Sequence, residues 1–185
     1  MARLGLHPVE DVRSFDLPGV RVVLADTTVA GCNHGKVHHL TDEVCGRLAD
    51  ADGPALLVLH HYVQPLPIPT FIPAGIASHR AGPFLRAVAA ANPATLVTSG
   101  HSHRHRRRRR GPLVLTEVGS PKDYPGTWAG YAIHEGGIRQ VVRRVTRPDC
   151  IGWTEYTRRA GLGLWGWWSP GRLEERCFTH PWPAR

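Results

Sequence analysis

Histidine is the residue type that stands out for chemistry, with twelve copies in 185 residues, several adjacent or alternating. Neutral imidazole is a good ligand for zinc, manganese, iron and similar divalent ions. The densest arrangement is Gly100-His101-Ser102-His103. An i, i+2 placement can turn two imidazoles toward one neighbourhood, and Gly100 lets the backbone bend tightly and come close to an ion. His60-His61 forms a second pair elsewhere in the chain. If His60 met His101 and His103 at a point about 2 Å from each nitrogen, the three would make a ligand set. Read alone, each pair also fits solvated loop histidines. Other histidines have weaker claims. His38-His39 and His105 can be imagined joining a metal site, His134 and His180 have no partners in sequence, and Cys32-x-His34 lacks two of the four ligands a zinc site needs.

These side chains must be carried by elements that converge. Val20 to Asp26 is a β-branched apolar run that reads as a buried strand with Asp26 at its exit. A helix is expected from Thr41, with Thr41 as N-cap, Asp42 and Glu43 in its first turn, and Val44 and Leu48 on one face. Ala55 to Leu59 is a second buried strand that delivers His60 and His61 at its end. The segment Pro65 through Pro73 is too proline-broken for regular structure. Phe84, Leu85, Val88 and Ala89 give a second helix closed by Asn92-Pro93, and Ala94 to Thr98 is a third strand turning into His101. Strands alternating with helices imply a sheet covered by helices, with ligands collecting beyond the carboxyl ends of the strands. Leu113 to Val118, Trp128 to His134 and Ile138 to Val145 read as further strands, the last two joined through a hairpin at Gly136-Gly137.

The pair Leu59-His60-His61 and, about forty residues later, Ser99-Gly100-His101-Ser102-His103 resemble the last two motifs of the calcineurin-like metallophosphoesterases. The segment Gly19 to Thr28, followed by a helix into the His-His strand, is similar to what separates that family's third and fourth motifs. The resemblance spans roughly residues 14 to 146. It implies a partial α/β/β/α sandwich, with helices covering mixed sheets, and a metal-dependent hydrolysis of phosphomonoesters or phosphodiesters. It implies His60, His101 and His103 as metal ligands, with His61, Arg104 and His105 beside them or near a bound substrate. The family's D-x-H, G-D-x-x-D and G-N-H-D or G-N-H-E motifs do not occur. Asn33-His34-Gly35 falls downstream of a strand that should follow the last of these. The chain therefore reads as the C-terminal half of the family's enzyme.

That loss has a physical cost. Two divalent ions roughly 3.5–4 Å apart repel strongly unless a bridging carboxylate lies between them, and three neutral imidazoles supply no such charge. The expectation is one ion at most (manganese, iron or zinc), weak or absent turnover, and a tendency to self-associate through uncovered sheet.

Composition sets wider bounds. The chain suits one domain at residues 1–149 followed by a Trp-rich extension at 150–185, mostly irregular except near Leu173, which holds all but one of the six tryptophans. Those tryptophans can stack on a base or staple the tail to the core. The net charge is +8, and only Lys36 and Lys122 of the 23 basic residues are lysines. Arg106 to Arg110 can bind nucleic acid, steer an anionic substrate, or stand as a solvated loop between strands. No aromatic residue interleaves the run, which disfavours single-strand readout. The longest apolar run, Ala55 to Leu59, is too short for a bilayer, and the N-terminus lacks a secretory apolar stretch, so a cytoplasmic address without membrane contact is expected. Four cysteines without C-x-x-C pairing read as ordinary thiols.

Overall fold

The computed structural model describes residues 11–64 and 74–182, so the proline-rich segment from Pro65 to Pro73 lies outside the described residues. Six strands form the larger sheet: β1 (Val12–Leu17), β2 (Val20–Ala25), β3 (Ala55–Leu59), β4 (Thr95–Ser99), β5 (Arg106–Arg110) and β6 (Leu113–Glu117). Their spatial order is β1-β2-β3-β4-β6-β5, with β2, β3, β4 and β6 parallel and the two edge strands antiparallel. Helices α1 (Thr41–Ala49) and α2 (Ser78–Ala91) lie between β2 and β3 and between β3 and β4 in the chain.

Both faces of this sheet are covered, which explains why its central strands read as unbroken apolar runs rather than alternating ones. On one face Val23, Ala25, Leu57, Leu59, Val97 and Leu115 share a core with Val44 and Leu48 of α1 and with Phe84, Leu85 and Val88 of α2. On the other face Val20, Val22, Leu56, Leu96 and Val114 share a second core with Ile138 and Phe178. Those last two residues belong to a smaller antiparallel sheet of β7 (Thr127–His134), β8 (Gly137–Arg144) and β9 (Phe178–Pro181), in the order β7-β8-β9. Two polar clasps join the sheets: Thr98 Oγ1 to Tyr131 OH at 2.6 Å, and Thr116 Oγ1 donating to Gln140 Oε1 at 3.0 Å. The architecture is mixed α/β, helices on a mixed sheet on a second sheet.

Several elements differ from expectation. Thr41 is the first helical residue of α1, with Leu40 at the cap position, and the Thr41 hydroxyl donates to the Val37 carbonyl at 3.0 Å. Strand β1 is additional, and only Val12 of it is buried. The arginine run is not a loop. It forms the edge strand β5, in register with β6 from Arg106↔Glu117 to Arg110↔Leu113. Backbone pairing to β6 makes it a strand, and a charged edge discourages further strand addition. The tail is also more ordered than expected, forming α3 (Pro148–Thr157), α4 (Leu164–Trp168), α5 (Leu173–Arg176) and β9. Among the described residues, no helix is long and apolar enough to cross a membrane. Trp153, Tyr156, Leu162 and Trp167 are each at least half exposed.

A candidate metal centre at the strand ends

Register explains why histidines from two chain crossings meet. Strands β3 and β4 pair parallel with Leu59 opposite Ser99, so both chains leave the sheet side by side, and the Gly100 N–H donates to the His60 carbonyl at 3.0 Å. His60 Nε2 then lies 3.0 Å from His101 Nδ1. His61 joins them, its ring centroid 4.7 Å from that of His60 and 4.2 Å from that of His101. One ligand nitrogen from each of His60, His61 and His101 falls within 4.8 Å of the others. Nitrogens sharing an ion at about 2.0–2.1 Å stand roughly 3.0–3.4 Å apart, so the His60–His101 pair already has that spacing and His61 needs a modest approach.

The protein around the rings fixes their orientation. His101 Nε2 lies 2.8 Å from the Asn33 carbonyl, which can only accept, so Nε2 carries the proton and Nδ1 turns its lone pair to His60. In the metal-free protein His60 Nε2 donates to that lone pair, and an ion held between the two nitrogens would displace this proton. His61 is buried, with its backbone N–H donating to Thr27 Oγ1 at 3.1 Å and its Nδ1 paired to the same oxygen at 2.8 Å. A Cβ at residue 35 would come within 2.5 Å of the His61 ring, so the loop over the site closes only with glycine there. Burial pushes His61 down to about 4, with His101 and His60 adding to the effect, and burial likewise lowers His60. Both rings are therefore neutral at pH 7, the state a metal requires. Asp26, at the exit of β2, is kept ionised by hydrogen bonds from Thr28, including its N–H at 2.8 Å, and its charge acts on His60 and His61.

His103 is not in the group. Its Nδ1 meets Asp123 Oδ2 at 2.5 Å, twenty residues further on. His101 and His103 both have positive φ, 64° and 51°, which is uncommon for non-glycine residues and needs support from the surroundings. Part of that support is visible between them. The buried Ser102 hydroxyl donates to Glu117 Oε2 at 3.0 Å, and Arg108 Nη2 binds Glu117 Oε1 at 2.6 Å and the Val63 carbonyl at 2.9 Å.

Of the expected neighbours, His61 is a member of the group while Arg104 and His105 point elsewhere. The Arg104 guanidinium lies over Trp168, 4.7 Å from the ring centroid. His105 is fully buried, Nδ1 accepting from the Gly119 N–H at 3.3 Å and Nε2 donating to Thr127 Oγ1 at 2.7 Å, so both nitrogens are used within the protein. Glu117 and Asp123 have no motif around them that sequence reading could have used, and the contacts of Thr27 and of the Asn33 carbonyl with the histidines are not marked by residue type. A cavity of about 850 Å³ lies at the opposite end of the sheet, between Gly53, Pro93, Gly136 and Trp182, away from the clustered histidines.

No protein-family model matches the sequence, and no curated protein matches it.

Proposed function

We propose that the chain is a metal-binding α/β protein of the metallophosphoesterase kind, holding one divalent ion through His60, His61 and His101. The observation that carries this reading is the convergence of three imidazoles, two of them with lowered proton affinity, within 4.8 Å at the carboxyl ends of two parallel strands. No carboxylate belongs to that group among the described residues, which favours one ion over two. Histidine ligation suits zinc, manganese and iron alike.

When bound, such an ion would supply Lewis-acid polarisation of a phosphoryl oxygen and a lowered pKa for coordinated water. The chain's own residues do the rest. The Asn33 carbonyl holds the proton on His101 Nε2 and so leaves Nδ1 for ligation. Thr27 fixes the plane of the His61 ring through Nδ1. His103 donates from Nδ1 to Asp123, which fixes the orientation of its ring.

Metal uptake together with turnover of a chromogenic phosphodiester tests the reading. The expected result is one manganese or zinc per chain and slow metal-dependent hydrolysis, both lost in His101→Ala. Failure to take up manganese, iron or zinc would overturn it, as would hydrolysis that persists undiminished in His101→Ala.

A further inference from the structure

A second cleft, about 460 Å³, opens beside the first residues of β5, at the same end of the sheet as the histidines. Its walls are Arg104, Arg106, Arg172, Trp167, Trp168 and Glu175. The volume lies within the range of small-molecule sites, about 300–1,000 Å³. The lining is chemically two-sided, with guanidinium groups for an anion and indole faces for an aromatic ring.

The cleft is preformed rather than an accident of surface side chains. The His105 N–H donates to the Ser169 carbonyl at 3.1 Å, and Gly171, at φ 60°, brings the link between α4 and α5 against the His105 carbonyl where any side chain would collide. Arg104 is held by its stacking over Trp168, and Trp165 packs on Trp168 at 5.5 Å between centroids. Glu175 has an oxygen occupied by the Arg172 backbone N–H at 2.7 Å, and the Arg172 guanidinium lies 3.9 Å from Glu174 Oε1, so the lining of the cleft itself carries three guanidinium groups and one carboxylate. Arg104 Nε is buried with no hydrogen-bond partner among the described residues. Burial also lowers the proton affinity of Arg104 and Arg106, as expected for cations crowded out of water. Trp167 stands at the mouth, 81% exposed.

We propose that this cleft binds a nucleoside phosphate, its phosphate on Arg104 and Arg106 and its base stacked on Trp167. The site is independent of the metal centre and functions with the metal removed.

Titration of the full chain with adenosine monophosphate in chelator, followed by calorimetry and tryptophan fluorescence, tests it against inorganic phosphate and adenosine as separate probes. The expected result is one saturable site, tighter for the nucleotide than for either fragment. Trp167→Ala removes an exposed ring and leaves folding intact; it should weaken the nucleotide roughly 5- to 150-fold while leaving phosphate binding unchanged. Arg104→Gln should weaken both nucleotide and phosphate, and His101→Ala should change neither. Nucleotide binding no tighter than phosphate binding would overturn the proposal. So would a Trp167→Ala chain that binds the nucleotide as the unaltered chain does, or loss of nucleotide binding in His101→Ala.

Discussion

Acidification should destabilise this fold well above the pH at which carboxylates protonate, and His105 allows the effect to be worked out. The ring is fully buried between Gly119 and Thr127, and burial, with Arg176 adding to it, depresses its pKa from an ordinary 6.5 to about 4. Because the folded value is depressed, the unfolded chain binds the extra proton between these two values. Stability is therefore full above pH 6.5 and is lost as pH falls toward 4. Between pH 7.5 and pH 5 one such histidine removes about 2 kcal/mol, out of about 3.4 kcal/mol once pH has fallen well below 4. Urea denaturation at a series of pH values measures this slope directly. In His105→Gln the mean slope between pH 7.5 and pH 5 should fall by about 0.6 of a proton, approaching a full proton only near pH 5, whatever the variant's absolute stability. Retention of the full slope in His105→Gln, or a flat profile for the unaltered chain, would refute the burial argument.

Other perturbations follow from the contacts around the histidines. Thr27→Val keeps the side-chain shape but strands the buried His61 N–H, and should cost about 1–3 kcal/mol in chemical denaturation and about 10- to 100-fold in zinc affinity. Glu117→Ala leaves Arg108 without its carboxylate and frees Ser102; a loss of about 3 kcal/mol with weaker zinc binding is expected, measured by urea unfolding and calorimetry. Gly35→Ala should reduce zinc affinity with little change in β-sheet content by circular dichroism, since its Cβ would meet the His61 ring at 2.5 Å.

The parts of the fold that can be read from sequence are those whose local pattern and tertiary fate agree. Strands β2, β3 and β4 are buried on both faces, so their apolar runs suffice. Strand β1 buries only Val12 and leaves Phe15 and Leu17 about half exposed, so no apolar signal marks it. Strand β5 has no apolar residue at all. Its conformation comes from β6, and its side chains are placed by distant partners, Arg107 over Phe178 at 4.9 Å and Arg108 on Glu117. In the tail, β9 exists because β8 has an open edge and Phe178 reaches the core of Val114 and Ile138.

Half of the candidate site is legible for the same reason. His60 and His101 follow buried strands, and parallel register alone brings them together. That the His61 ring, and not the His103 ring, stands beside His60 and His101 turns on backbone dihedrals at residues 101 and 103 and on a carboxylate at residue 123, neither of which residue type or spacing encodes. The Asn33 carbonyl is a backbone group and leaves no trace in the sequence.

Zinc stoichiometry and affinity in the alanine series at residues 60, 61, 101 and 103 test the central claim most directly. One ion per chain, abolished by His60→Ala, His61→Ala and His101→Ala and retained within a few-fold by His103→Ala, is the predicted result. Binding that survives His61→Ala but disappears in His103→Ala, or two tightly bound ions per chain, would contradict it.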